Sequence, residues 1–142
     1  MANYAMTRGE REAFLADTHV AMLAVDDSGR GPFLVPVWYW YRPGGEVHVV
    51  TGGASRKVAL LRKAGRASLC VQTETPPYKY AMVEGPVVVL HEQRDDLAMA
   101  SRYLGPALGK WYAENNPSTS ESVVVRLTPE HWLTCDFGRG MG

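Results

Sequence analysis

The nine residues FLVPVWYWY, Phe33 to Tyr41, limit the fold more than any other stretch of the chain. Val, Phe, Trp and Tyr favour a pleated strand, whose side chains alternate between two faces. Trp38 and Trp40 therefore point one way, and Tyr39 and Tyr41 the other. One face can fill a core. The other carries bulky aromatics that need a second cover: a partner subunit, a flat ligand or both. The plain alternative is tyrosines half exposed at a strand end with wet hydroxyls.

Around this strand, HVAMLAV (19–25) and EVHVVT (46–51) read as strands set off by the turn clusters DDSGRGP and RPGG. Three strands with such short connections predict an antiparallel meander. Further strands are expected near 67–73, over 78–90 after ETPP, and in SVVVRL and WLTCDF with Pro129 breaking between them. Thr7 and Glu10 form a capping box that starts a short helix carrying Phe14 and Leu15. A second helix follows Ser55. QRDDLAMASRYLG has helical spacing with Gly105 as its stop, and PALGKWYAEN is a further helical piece. At 142 residues the chain is expected to be one domain, 1–142, with 1–12 and 138–142 as loose ends. The class is mostly β (α+β): six or seven antiparallel strands with short flanking helices, closed or nearly closed into a small barrel because open edges are a liability.

Charge excludes several partners. Fifteen Lys and Arg offset fifteen Asp and Glu, so no broad field draws nucleic acid or anionic lipid. Five basic residues fall within Arg56–Arg66, but no stacking aromatics are interleaved there, and no nucleic-acid partner is expected. No segment reads as a membrane span or a secretory leader. The two cysteines, Cys70 and Cys135, sit in apolar-alternating segments and read as reduced core thiols, which fits a cytoplasmic protein. The four histidines are scattered, and no metal site is expected.

TGGASRKVALLRKAGR (51–66) is where local chemistry concentrates. A strand ending at Thr51, a Gly52-Gly53 turn and Ser55 as N-cap deliver the first turn of a helix. Its unpaired N–H groups and the positive end of its dipole suit a phosphate or carboxylate. Val58, Leu60, Leu61 and Ala64 span one arc, and Lys57 falls inside it. A lysine so placed snorkels past the helix end or meets an anion. Arg56 and Arg62 read as solvated positions. The G-x-x-x-x-G-K-[ST] phosphate loop is absent, which disfavours a nucleoside triphosphate. From the residues alone, an anion site and an ordinary turn followed by a basic helix both stand.

The order FLVPVWYWY, VHVVTGGASRKVALLRKAGRASLCVQ, YKYAMVEGPVVV, RYLG resembles the pyridoxamine 5′-phosphate oxidase-like split β-barrel superfamily, from about Phe14 to Phe137. More narrowly it is similar to the small branch that uses flavin or the deazaflavin coenzyme F420. The resemblance implies a homodimer of split barrels with a tricyclic cofactor in each of two grooves at the subunit interface. It implies that Pro36, Val37 and Trp38 lie along the ring system. Thr51, Ser55, Arg56 and Lys57 would hold the ribityl phosphate and nearby polar atoms, and Tyr78, Lys79 and Tyr80 would approach from the partner chain. Coenzyme F420 is the first choice of cofactor and FMN the alternative. The late Arg and His residues of vitamin B6 oxidases have no matching set here; Arg126 and His131 stand in different surroundings, so that activity is not expected. Leu60 also stands where many relatives have asparagine.

No Ser-His-Asp, Cys-His or paired-carboxylate arrangement stands out, no catalytic residue is assigned, and Glu84 reads as a structural or interface carboxylate. A cofactor that carries hydride asks the protein mainly to bind it, expose one face and exclude side reactions. The expected activity is an oxidoreductase passing hydride to a small unsaturated or heteroaromatic substrate, with Trp38 shaping the pocket and the proton coming from water, Tyr39 or Tyr80. The alternative in another class is a non-catalytic protein that stores a cofactor or another flat ligand such as haem.

Overall fold

A computed structural model describes residues 3–92, 95–117 and 121–140. The helix α1 (Arg8–Ala16) opens on the expected capping box: Thr7 Oγ1 accepts from the Glu10 amide and Glu10 Oε1 from the Thr7 amide. There follow β1 (Ala21–Val25), β2 (Phe33–Val37), β3 (Trp40–Tyr41), β4 (Val47–Gly52), α2 (Arg56–Ala64), β5 (Arg66–Gln72) and β6 (Lys79–Leu90). Two helices, α3 (Asp96–Leu104) and α4 (Pro106–Asn115), precede β7 (Ser122–Leu127) and β8 (His131–Asp136). Gln93 and Arg94, expected at the start of α3, lie outside the described residues. Gly105 ends α3 at φ +83°, a conformation that favours glycine.

All the strand pairs are antiparallel, in the order β2-β1-β5-β6-β7-β4-β3, with β8 also on β6. The mostly β, split-barrel class expected above is the one observed. Seven strands have five or more residues, and β3 is an added two-residue piece. The meander is the exception. β1–β2 and β3–β4 are hairpins, but they lie at opposite ends of the strand order. The aromatic segment breaks at Trp38–Tyr39 and runs from one outer edge to the other, so a single stretch of chain serves both edges of the curled sheet.

The long strand β6 makes the opposite corner. Its first half pairs with β8 (Lys79↔Asp136 to Glu84↔His131), and its second half with β7 (Val87↔Leu127 to Leu90↔Val124). Thus β7 and β8 run along the same edge of β6, interrupted around Pro129. Gly85 marks the bend: a Cβ there would lie 1.8 Å from the Thr128 carbonyl oxygen. The Glu130 amide donates to the Glu84 carbonyl and the Thr128 amide to that of Pro86, holding the two strands together on either side of it. Inside the curl sit Leu15, Leu23, Tyr39, Val47, Leu61, Leu69, Val83 and Val125, all but out of solvent. Each such aliphatic side chain contributes about 1.5–3 kcal/mol on burial.

The ends expected to be loose are tied together over residues 3–12 and 138–140. The Asp136 amide donates to the Tyr4 carbonyl at 2.7 Å and the Met6 amide to Thr134 Oγ1 at 3.0 Å. Tyr4 packs on Phe137, and Arg139 pairs with Glu10. Each terminus supplies the other with partners, which local composition does not register.

Gly85→Ala is expected to destabilise the chain by about 3 kcal/mol or prevent folding, because backbone rather than a flexible side chain meets the new methyl. Gly9→Ala, in the first turn of α1 with open space around it, is expected to be neutral or stabilising by up to about 1 kcal/mol. Urea unfolding of both variants checks this; equal midpoints would contradict it.

Candidate functional site

The turn into α2 forms as expected. The Gly53 amide donates to the Glu121 carbonyl at 2.7 Å, and a Cβ on Gly53 would sit 2.4 Å from that oxygen, so only glycine fits there without a shift. Ser55 is the N-cap, its hydroxyl accepting from the Val58 amide at 3.4 Å. Helix α2 packs against β1, β5 and β6, and its Val58 and Leu61 are buried. Lys57, in the arc they define, escapes along the helix end: its Nζ donates to Thr51 Oγ1 at 2.8 Å. Among the described residues it forms no ion pair, and burial lowers its pKa. Arg56 stands apart from Lys57. It pairs with Asp27 of the β1–β2 turn at 2.5 Å and lies over the Phe33 ring. A carboxylate already answers its charge, which separates it from Thr51, Ser55 and Lys57.

The aromatic segment alternates as expected, with a different cover. Tyr39 and Tyr41 point inward and are buried. Tyr39 donates its hydroxyl to the Leu15 carbonyl at 2.5 Å, and burial pushes its pKa far up. It is therefore no proton donor to a groove, which leaves Tyr80 or water of the three sources expected. Trp38 and Trp40 point outward, but the chain covers Trp38 itself. Tyr103 of α3 stacks on its ring at 4.8 Å and 4°, and Tyr112 of α4 tilts against it at 5.2 Å. The RYLG end of α3 thus does more than stop a helix. Tyr103 Oη accepts from the Tyr39 amide at 3.0 Å and donates to the His19 carbonyl at 2.7 Å. Arg102 donates to the carbonyls of Ala16 and Asp17. These contacts join residues far apart in sequence, and only the repeated aromatics hinted at them.

A cavity of about 260 Å³ lies between Trp38, Val50, Thr51 and helices α3 and α4. A second, of about 240 Å³, is lined by Trp40, His48, Val50, Asp95, Ala98 and Met99. Trp38 and Thr51 line one of these cavities, whereas Ser55, Arg56 and Lys57 line neither. On β4, Val47 and Val49 face the core and Val50 faces away. Thr51 turns its hydroxyl to the core side, where Lys57 waits.

The remaining expected residues fall elsewhere. Val37 is in the core, so its side chain lines no groove. Pro36 is exposed on the outer face of β2. Tyr78, Lys79 and Tyr80 lie at the start of β6, whereas Thr51 pairs with Val123 beyond the far end of that strand. Residues 81–90 of β6, at roughly 3.3 Å each, lie between the two groups along one chain. Between them an apolar row crosses five strands: Pro36↔Met22, Met22↔Cys70, Cys70↔Met82 and Met82↔Leu133. With Leu34 at 60% exposure and Leu133 at 55%, this face is unusually apolar for a surface. Its residues come from scattered segments, and only the register aligns them.

No acid–base or nucleophilic constellation is assembled among the described residues. Glu84 shares Arg66 with Glu130 at 3.1 and 2.7 Å and lies 3.8 Å from His131. Arg126 pairs instead with Glu46 and Glu92. No group of three or more His, Cys, Asp or Glu side chains is placed to hold a metal among the described residues. None of their helices is long and apolar enough to cross a membrane.

The family profile described as pyridoxamine 5′-phosphate oxidase matches residues 7–136. No curated protein matches the chain. Among solved structures, a conserved hypothetical protein from Mycobacterium tuberculosis is 21% identical, with a TM-score of 0.79 over 100% of this chain and 92% of that one. A FAD-binding protein from Mesorhizobium loti is 20% identical, with a TM-score of 0.66 over 91% and 94%. A structure described as an F420 reductase is 17% identical, with a TM-score of 0.62 over 86% and 94%.

Tyr103→Phe leaves the Tyr39 amide without its acceptor at a part-buried site and is expected to cost about 1–3 kcal/mol. Urea denaturation measures it, and a midpoint unchanged within error would show that the hydroxyl does not hold the segment.

Proposed function

Because the chain belongs to the pyridoxamine 5′-phosphate oxidase family, we propose that it is a homodimeric oxidoreductase that binds coenzyme F420 and reduces a small unsaturated or heteroaromatic substrate in the cytoplasm. Lys57 carries the reading. It is a half-buried ammonium with a hydroxyl partner and no carboxylate among the described residues, beside the N-cap of α2. Bringing such a charge out of water costs energy that an anion would offset. Thr51 and Ser55 add hydroxyls, and the first amides of α2 add donors without intrahelical partners. That donor set fits a phosphate monoester. Arg56 would join only by releasing Asp27.

Two copies meeting on the Pro36–Met22–Cys70–Met82–Leu133 row would bury an apolar face that otherwise meets water. They would also let Tyr78, Lys79 and Tyr80 of one copy approach the α2 tip of the other, which no single chain does. In this reading Lys57, Thr51 and Ser55 anchor the phosphate. Pro36 and the exposed edge of Trp38 flank the ring, and the partner's Tyr80 holds or passes a proton at its hydroxyl. Bound deazaflavin supplies hydride; the protein orients it and excludes water.

The flavin reading, with FMN in the same groove, is kept because one structural neighbour is described as binding FAD. Titration with F420 and FMN separates the two, and absence of micromolar binding of either would end both. Turnover with a panel of acceptors separates an enzyme from a protein that only stores its cofactor. Lys57→Met is expected to weaken binding of the preferred cofactor by about 1.5–3 kcal/mol, roughly ten- to a hundredfold. The wild-type affinity is expected to hold near neutral pH. It should fall as pH rises and Lys57 deprotonates, beginning below the usual lysine value of about 10.4, because burial lowers its pKa in the free protein. Equal affinity of Lys57→Met and wild type would refute this anchor.

Leu133→Glu, at an exposed position, is expected to leave a folded monomer, as measured by light scattering on a sizing column. A dimer of unchanged stability would place the interface elsewhere.

A further inference from the structure

At the end of β4 away from Thr51, a cleft of about 380 Å³ opens between α1, the β3–β4 turn and the β7–β8 connection. It is separate from the residues assigned above to the cofactor. Five charged side chains line it: Arg8, Arg11, Glu12, Glu46 and Glu130. The three carboxylates each have a cation, Glu12 with Arg8 at 3.4 Å, Glu46 with Arg126 at 3.9 Å and Glu130 with Arg66 at 2.7 Å. Arg11 is the exception. Its guanidinium lies 4.7 Å from the centre of the Trp132 ring, and its side chain makes no ion pair or hydrogen bond among the described residues. Beside it, the nearly buried Tyr41 hydroxyl accepts from the Gly44 amide at 3.3 Å and keeps its own proton to donate.

We infer that this cleft binds the zwitterionic head of an apolar α-amino acid. An aromatic platform beneath a guanidinium fixes its plane and leaves its edge for a carboxylate, the partner whose geometry it matches best. Tyr41 supplies a second donor. A dianion such as phosphate is disfavoured, because three carboxylates share the wall. Of these, Glu46 and Glu130 have oxygens to spare for an ammonium, since Arg126 and Arg66 reach them from outside the cleft. One cation without a counter-ion, close to carboxylates of spare acceptor capacity, matches a molecule with both charges on one carbon. Pro129 and the Trp132 edge offer apolar surface for its side chain.

The test follows the indole N–H of Trp132 by NMR in the full-length protein during titration with L-leucine, L-leucinamide and 4-methylpentanoate. Leucine is expected to shift that resonance saturably at millimolar concentration. The two analogues, each lacking one charge, should bind at least about tenfold more weakly. Arg11→Gln should abolish the response to leucine and leave the rest of the spectrum in place; if that variant unfolds, the analogue series decides alone. No saturable shift with leucine, valine, methionine or phenylalanine would overturn the proposal. So would equal binding of the analogues, or inorganic phosphate binding as well as leucine.

Discussion

The structure depends on one crossing. At Trp38–Tyr39 the chain leaves the edge of β2 and enters β3 at the far end of the strand order, and there Tyr39 has no ladder partner for its amide. An unpaired buried N–H is costly enough that the gap needs a donor–acceptor from elsewhere. Tyr103 provides it, while the Tyr39 hydroxyl reaches inward to the end of α1. Helix α3 is thereby pinned to the seam, and the α3–α4 pair covers Trp38. Its close crossing is visible at Gly109, where a Cβ would lie 2.6 Å from the Ser101 backbone.

With the seam closed on one side and the Gly85 corner on the other, the consequences for a site follow. On the core side of β4 Lys57 reaches Thr51, and the outer side receives α3 and its two cavities. Among the described residues, no helix lies over the apolar row on the outer face of β2, β1, β5, β6 and β8. In the proposed function, cofactor anchoring and dimer formation would be two uses of the same closure: one chain would present a cationic tip and an uncovered face, and a second copy would supply what lies too far along β6 to reach that tip.

Features whose causes are local were legible in the sequence. The Thr7–Glu10 capping box, the Ser55 cap, the Gly105 stop, the alternation of the tryptophans and tyrosines and the escape of Lys57 along its helix end all follow from spacing within a turn or two. Most strand limits differ from expectation by one or two residues for the same reason. What escaped depends on partners distant in sequence. Arg56 meets Asp27 across 29 positions, Tyr39 meets Tyr103 across 64, and Met6 meets Thr134 across 128. The apolar row is the clearest case. Pro36, Met22, Cys70, Met82 and Leu133 are unremarkable one at a time, and register alone makes them a surface.

The central claim, that each cofactor site is shared between two copies, is tested most directly by mixing two defective variants. Lys57→Met spoils the tip, and Tyr80→Asp spoils the residue offered by the partner. In a mixed dimer both lesions fall in one site and the other site is intact. Cofactor titration of the reassociated mixture is expected to recover one site of wild-type affinity per mixed dimer. A mixture that binds no better than either variant alone would mean that both groups of residues serve a site within one chain, or none at all.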